Sequence, residues 1–334
     1  SRRRHTRCAR WSRGLGDVYK RQCRDRPIYR ARKLRHSIIC FLTLLMPPAF
    51  ASEPPVIIVE NPEFIISGTL ENRKIDEASG MQAGDNGVYF VHNDEKRDVF
   101  VIDAQGRDLG SFKLDDSKNK DWEDISRVPG DQGPLFVLAD TGDNTSSRNH
   151  VKLYFFREPA TGEYSSEHKA LHRLKIRYPE GPRDMEAVAY DPHGRQILLL
   201  SKRNKPPRLH GIPLETALSE QEVEALLLAE VPAFRPPTRD DLLSNPKRGW
   251  FVSQPTGMDI SPDGRKAAVI TYRSLYLFER HGEESWQEAL QRPAAEYVGP
   301  PGLHHEAVAF SRDGKSVYIT TERRPAPIYR LDLE

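Results

Sequence analysis

One short phrase returns five times along this chain and fixes what it can fold into. It reads Glu77-Ala-Ser-Gly-Met, Glu123-Asp-Ile-Ser-Arg, Glu186-Ala-Val-Ala-Tyr, Thr256-Gly-Met-Asp-Ile and Glu306-Ala-Val-Ala-Phe. The last three run in step to a turn: Asp191-Pro-His-Gly194, Ser261-Pro-Asp-Gly264 and Ser311-Arg-Asp-Gly314. The first two reach Gly84-Asp-Asn-Gly87 and Gly130-Asp-Gln-Gly133. A β-rich run follows each turn, for example Val88-Tyr-Phe-Val and Ile197-Leu-Leu-Leu. A repeat of roughly 45 residues or more, built of short strands and turns, is the signature of an all-β propeller.

Counting strands gives five four-stranded blades. Four units supply their own strands, while the fifth supplies three: Glu306–Ser311, Ser316–Thr321 and Pro327–Leu333. The segment Glu63–Leu70 precedes the first unit and belongs to none, so it is expected to complete the last blade and close the ring without an open edge. A sixth blade, the alternative, could come only from the proline-rich stretch Pro232–Gln254, which reads better as a surface loop. Leu218–Leu228 suits a short helix or an outer strand equally well. Asp191, Asp263 and Asp313 are expected to serve hairpin turns.

The first 51 residues read differently. Residues 1–22 are expected to be a non-native leader. Residues 23–51 carry a basic stretch, the short apolar run Ile38–Met46 and a small-x-small site at Ala49-Phe-Ala51, the pattern of a cleaved signal peptide. The single propeller domain is then 52–334, with no membrane span after cleavage, exported to a bacterial periplasm or the exterior, and monomeric. All three cysteines, Cys8, Cys23 and Cys40, lie in the leader, which excludes disulfides and thiolate chemistry from the domain. The leader also holds 14 of 50 Lys and Arg and 2 of 48 Asp and Glu, leaving 36 basic and 46 acidic residues, a formal net of −10. An acidic domain does not suit nucleic-acid binding.

In a propeller, the loop leading into each inner strand and the loop joining the second and third strands share one face. The first set carries Glu77, Glu123, Glu186, Thr256 and Glu306, with His304 and His305 alongside. The second carries Asn93-Asp94, Asp140-Thr-Gly-Asp143-Asn144, Lys202-Arg203, Tyr272-Arg273 and Glu322-Arg323. Four glutamates gathered on one axis cannot all ionise unaided. A cation neutralises them, some stay protonated, or basic residues pair with them. Equally, they could accept backbone N–H groups of the neighbouring blade and fix blade spacing. Calcium suits an all-oxygen set, and Glu77, Glu123, Asp140, Asp143, Glu186 and Glu306 are its candidate ligands. Lys202, Arg203, Arg273, Arg323 and Asn93 are candidates to hold a small anionic ligand. His305, Glu186 and Glu306 are the candidate bases. No Gly-x-Ser-x-Gly elbow, His-Glu-x-x-His pair or P-loop is present.

Asp121-Trp-Glu-Asp-Ile125, Ala139-Asp-Thr-Gly-Asp-Asn144 and Arg177–Ala187, with His92-Asn-Asp94, Thr256-Gly-Met and Thr271-Tyr-Arg273, resemble motifs of a family of secreted bacterial propellers related to phytase-like ("esterase-like") and gluconolactonase-like propellers. The resemblance spans nearly all of 63–333. It implies a central channel that binds calcium through Glu77, Glu123, Asp140, Glu186 and Glu306. Thr256 interrupts the acidic ring, and the dense acidic clusters of a multi-calcium phytase are missing. Two readings follow. One is a module that binds a small anionic ligand or a protein partner without turnover. The other is a calcium-assisted hydrolase of a phosphoester or lactone, with Glu186 or Glu306 as base and Lys202, Arg203 and Arg273 on the anion.

Overall fold

The computed structural model describes residues 56–165, 168–300, 302, 304–322 and 324–333. The expected leader and signal peptide, and Arg323, lie outside the described residues.

Five small sheets are arranged as blades around a central channel. Blade 1 comprises Ala78–Ala83, Val88–Asn93, Asp98–Asp103 and Asp108–Asp115. Blade 2 is Asp124–Val128, Leu135–Asp140, Val151–Arg157 and His172–Arg177, and blade 3 is Met185–Asp191, Gln196–Ser201, Arg208–Pro213 and Leu226–Glu230. Pro255–Ile260, Lys266–Thr271, Ser274–Glu279 and Ala294–Val298 make blade 4. Blade 5 is His305–Phe310, Ser316–Thr321 and Pro327–Asp332, completed by Ile65–Thr69, which pairs antiparallel with Pro327–Asp332. The ring therefore closes as the repeat predicts, on a strand from the start of the domain.

Strand order also explains three short extra strands. His168–Lys169, Glu222–Glu224 and Val56–Val59 each lie just ahead of a fourth strand and pair in parallel with the outermost strand of the preceding blade, in blades 1, 2 and 4. This covers outer edges that would otherwise offer unpaired backbone groups. Leu218–Leu228 is thus mainly strand, at Glu222–Glu224 and from Leu226, preceded by the helix Leu214–Ser219, which ends at its start. Pro232–Gln254 is not a blade. It holds the helix Arg239–Ser244 and the 3-10 turn Gly249–Phe251.

The core lies between blades rather than along one layer. Five apolar clusters among the described residues each join two adjacent sheets. Between blades 1 and 2, Phe90 and Phe136 are fully buried with ring centroids 4.4 Å apart; burying each such ring contributes about 2–3 kcal/mol. The hairpins are set by side chains, as their sequences suggest. Asp191 accepts from the amides of His193 (3.0 Å) and Gly194 (2.9 Å), and Asp263 and Asp313 accept from Ser261 and Ser311 at 2.6 Å.

Register decides what faces the axis. In blades 1, 3, 4 and 5 the ladder between inner and second strands skips one residue: Ser79, Glu186, Thr256 and Glu306. A bulge of this kind re-aims the side chain it carries. In blade 2 the equivalent residue is Glu123, whose amide donates to the Ala139 carbonyl at 2.9 Å. The ring at the upper mouth, where the inner strands begin, is therefore Ser79, Glu123, Glu186, Thr256 and Glu306. Glu77 lies two residues short of it and is exposed. The sequence alignment of the first repeat is shifted by two because Glu77-Ala mimics the Glu-Ala of blades 3 and 5.

Candidate metal centre and ligand pocket

The two hydroxyls of the ring bind neighbouring blades. Ser79 Oγ donates to the Glu123 carbonyl (2.9 Å) and Thr256 Oγ1 to the His305 carbonyl (2.7 Å). The three glutamates are buried and face one another with few donors. Oxygens of Glu123, Asp184 and Glu186 lie within 4.8 Å of one another. Lys202 reaches the group from just past the end of the second strand of blade 3, its Nζ 2.8 Å from Glu186 Oε2.

Burial and neighbouring charge shift the titrations of Glu123, Glu186, Glu306 and Lys202. Burial pushes Glu123 well above the usual carboxylate range, and the charges of Glu186 and Asp121 push it further. Burial lifts Glu186 to about 7, with Lys202 pulling it back and Asp184 adding to the rise. Glu306 is raised by burial against the pull of Lys202, and Glu322 raises it further. Burial works against the Lys202 ammonium, yet Glu186 and Glu306 hold its pKa well above the ordinary value.

Gly142 forms the roof over this cluster. A Cβ there would collide with Glu123 Oε1 and lie 2.5 Å from Asp121 Oδ2. The missing side chain lets carboxylate oxygens of Glu123 and Asp121 pack directly against the Gly142 backbone. Beside it, Asp184 accepts from the Asp143 amide (2.7 Å) and from Arg203 Nε (2.6 Å).

The other sequence candidates fall in several places. Asp143 turns its carboxylate into its own loop, accepting from the amides of Ser147 and Arg148, both at 2.9 Å. Asp140 accepts from Arg148 Nη2 (2.9 Å), while its buried Oδ2 has no partner among the described residues; burial lifts it to about 6 against that arginine. Asn93 pins the loop into blade 1, accepting from the Asp76 and Glu77 amides (3.2 and 3.3 Å) and donating to the Lys74 carbonyl (2.7 Å). Arg273 is committed to Asp241 (2.6 Å) and to the Arg235 carbonyl (2.7 Å). His305 is buried with Nδ1 3.2 Å from the Tyr272 carbonyl, in the core rather than on the rim. The structure thus brings together Glu123, Glu186, Glu306, Lys202 and Arg203, and sets apart Glu77, Asn93, Asp143, Arg273 and His305.

A cavity of about 300 Å³ adjoins the cluster, lined by Lys202, Arg203, Arg248, Phe251, Tyr272 and His304 among others. Arg248 and Phe251 come from the 232–254 segment. Their isolation from the repeats in sequence hid them, and only their unusual position outside any blade could have marked them.

A second cavity, about 520 Å³, is at the lower mouth, beside Gln82, Ser126, Asp259, Arg127 and Arg312. Size does not make it the better site. Asp259 accepts from Gln82 Nε2 (3.2 Å) and the amides of Ile260 (2.9 Å) and Phe310 (2.8 Å). Between the mouths, Asp124 accepts from the amides of Ile125 (2.8 Å), Val188 (2.8 Å) and Met258 (3.1 Å). The blade-fixing role considered for the glutamates belongs to these two aspartates. The signal was present: Asp124 sits where the other four blades have Gly80, Ala187, Gly257 and Ala307.

No protein-family model matches the chain, and no curated protein matches it in sequence. Among solved structures it is similar to the PQQ-bound aldose sugar dehydrogenase of Streptomyces coelicolor, at 11% identity and a TM-score of 0.46 over 84% of this chain and 100% of that one. It is also similar to hydrazine synthase of Kuenenia stuttgartiensis, at 16% identity and a TM-score of 0.38 over 77% and 72%. Neither likeness bears on function, which has to be read from this chain's own residues: a five-bladed propeller with a buried acidic cluster at its upper mouth.

Proposed function

We propose that this chain is an exported binding protein whose upper mouth holds a divalent cation, calcium, on Glu123, Glu186 and Asp184, and takes a small anionic ligand beside it. The observation that carries the reading is the convergence of three buried carboxylates, with Glu123 packed against the bare backbone of Gly142. Lys202 and Arg203 are the basic groups bonded to the three, on Glu186 and Asp184. The donors are all oxygen, which suits a hard cation such as calcium over zinc or copper. The resemblance to calcium-binding, phytase-like propellers agrees with it.

Calcium bound there would supply the positive charge that lets Glu123 and Glu186 ionise together. Lys202 and Arg203, now paired with Glu186 and Asp184, would then be available to a carboxylate or phosphate in the adjoining cavity, where Arg248 adds a third cation. Cation and anion should therefore bind cooperatively. A second reading, hydrolysis of a phosphoester or lactone, is favoured by one feature. Glu186 is lifted to about 7 by burial, close to where a general base works well at neutral pH.

Calorimetric titration of calcium into the full chain, beside a Glu123→Gln/Glu186→Gln double variant, tests the reading. Binding by the wild type should be lost in the double variant, by on the order of 100-fold or more in affinity. A folded wild type that takes up no calcium would sink it. Calcium-dependent turnover of phosphoesters or lactones, abolished by Glu186→Gln, would favour the hydrolase.

A further inference from the structure

We infer that the ligand of the upper mouth is an anion joined to an aromatic or compact apolar group, rather than a bare or polyhydroxylated anion. This rests on the binding role proposed for that mouth and adds the chemical class of what binds.

The cavity has two unlike halves. Lys202, Arg203 and Arg248 make one half cationic, with Glu322 as the acidic member of the lining. Phe251, Val252 and the ring of Tyr272 add apolar surface, while Gln254, His304 and the Tyr272 hydroxyl are further polar groups of the lining. A sugar phosphate or inositol phosphate would set some of its hydroxyls against Phe251 and Val252, whose side chains neither accept nor donate, and unpaired polar groups there are costly. A planar ring would instead meet apolar surface, as small-molecule pockets of this volume commonly provide.

The wall is built, not a loose loop. Arg273 bonds Asp241 at 2.6 Å and its amide donates to the Val252 carbonyl at 3.1 Å. Arg235 makes two bonds to the buried Glu296, at 2.7 and 2.9 Å. Thr238 and Asp241 cap the helix reciprocally, and Gly249 packs so closely on the Asp241 carbonyl that a Cβ would collide with it. A segment anchored this firmly nevertheless leaves Trp250 60% and Phe251 43% exposed. Phe251, a large aromatic side chain left uncovered on the lining of a cationic cavity, is what an aromatic anion would cover. Lys202 already lies 5.2 Å from the Tyr272 ring centroid, so one face of that ring is polarised toward the ionic half.

The test is calorimetry on the full chain with calcium present, using inorganic phosphate, glucose 6-phosphate and phenyl phosphate as probes. Phenyl phosphate should bind at least about tenfold tighter than either of the others. Phe251→Ala should erase that preference and leave phosphate affinity unchanged; Phe251→Leu should keep part of it, and Arg248→Ala should weaken all three. Because Phe251 is exposed, its variants should fold, which circular dichroism checks. Glucose 6-phosphate binding as tightly as phenyl phosphate, or a preference that survives Phe251→Ala, would overturn the inference. Calcium titrations on the same samples separate the two failures. Calcium binding without the aromatic preference overturns the ligand class alone, whereas loss of both calcium and anion binding removes the site itself.

Discussion

Glu123 and Asp124 are neighbours in sequence, equally buried, and chemically alike, yet they live in opposite electrostatic worlds. Asp124 crosses the axis into space left by Gly80, Ala187, Gly257 and Ala307, and accepts three backbone amides, two of them from blades 3 and 4. Glu123 turns to the upper mouth and meets Glu186 and Asp121 instead of donors. Burial raises both carboxyls; amide donors oppose it at Asp124, while like charges reinforce it at Glu123. The same contrast separates the two mouths, since Asp259 below is saturated by an amide side chain and two backbone amides. A buried carboxylate with donors holds a fold together, and one without them is held for something that arrives.

The sharpest break in that comparison is Asp124→Ala. It leaves three buried amides without an acceptor and should cost about 3–9 kcal/mol in urea unfolding, at about 1–3 kcal/mol for each lost partner. Glu123→Ala, by contrast, should cost far less, since it also relieves repulsion.

Lys202→Met comes next. Removing the ammonium strands Glu186 and Glu306 and should cost about 3 kcal/mol near pH 8, most of it recovered when Glu186→Gln is added. Equal losses in the single and double variants would mean that Lys202 acts by packing alone.

The pH response separates the mouths. Burial lifts both Glu186 and Asp259 to about 7 in the fold, above their unfolded values. A raised carboxyl stabilises the fold while it is protonated, so that contribution is complete below the unfolded pKa and is lost as pH rises through about 7. Without calcium, the melting temperature should fall by several degrees between about pH 5 and pH 8. Calcium should remove the upper-mouth part of that fall and leave the Asp259 part. Scanning calorimetry in calcium and in EDTA, on wild type and Glu186→Gln, reads both parts; an identical fall with and without calcium would place no cation among these carboxylates.

The smallest effect belongs to Gly142→Ala. The new Cβ meets Glu123 and Asp121, so calcium affinity should drop by about tenfold with little change in stability. An unchanged affinity would show that the roof plays no part in the site.

Much of this was legible in the chain. The strand–turn period, the Asp-containing hairpins and the spare strand Glu63–Leu70 name five blades and their closure, because local turn chemistry and alternation of side chains are written residue by residue. Glu123, Glu186 and Glu306 were legible as a convergent set for the same reason. Ser79 was not, since a bulge is a property of two strands paired together, and Glu77 offered the better match in letters.

The sequence by itself determined the repeat, and the repeat determined the architecture, the common face of the glutamates and their mutual repulsion. Only the tertiary structure decided how that repulsion is met. Lys202 settles on Glu186, Asp184 and Gly142 complete a pocket across blades 2 and 3, and a segment outside every repeat brings Arg248 and Phe251 to the rim. Those contacts join residues far apart in the chain, and their distances follow from blade packing and strand register, which no local pattern encodes.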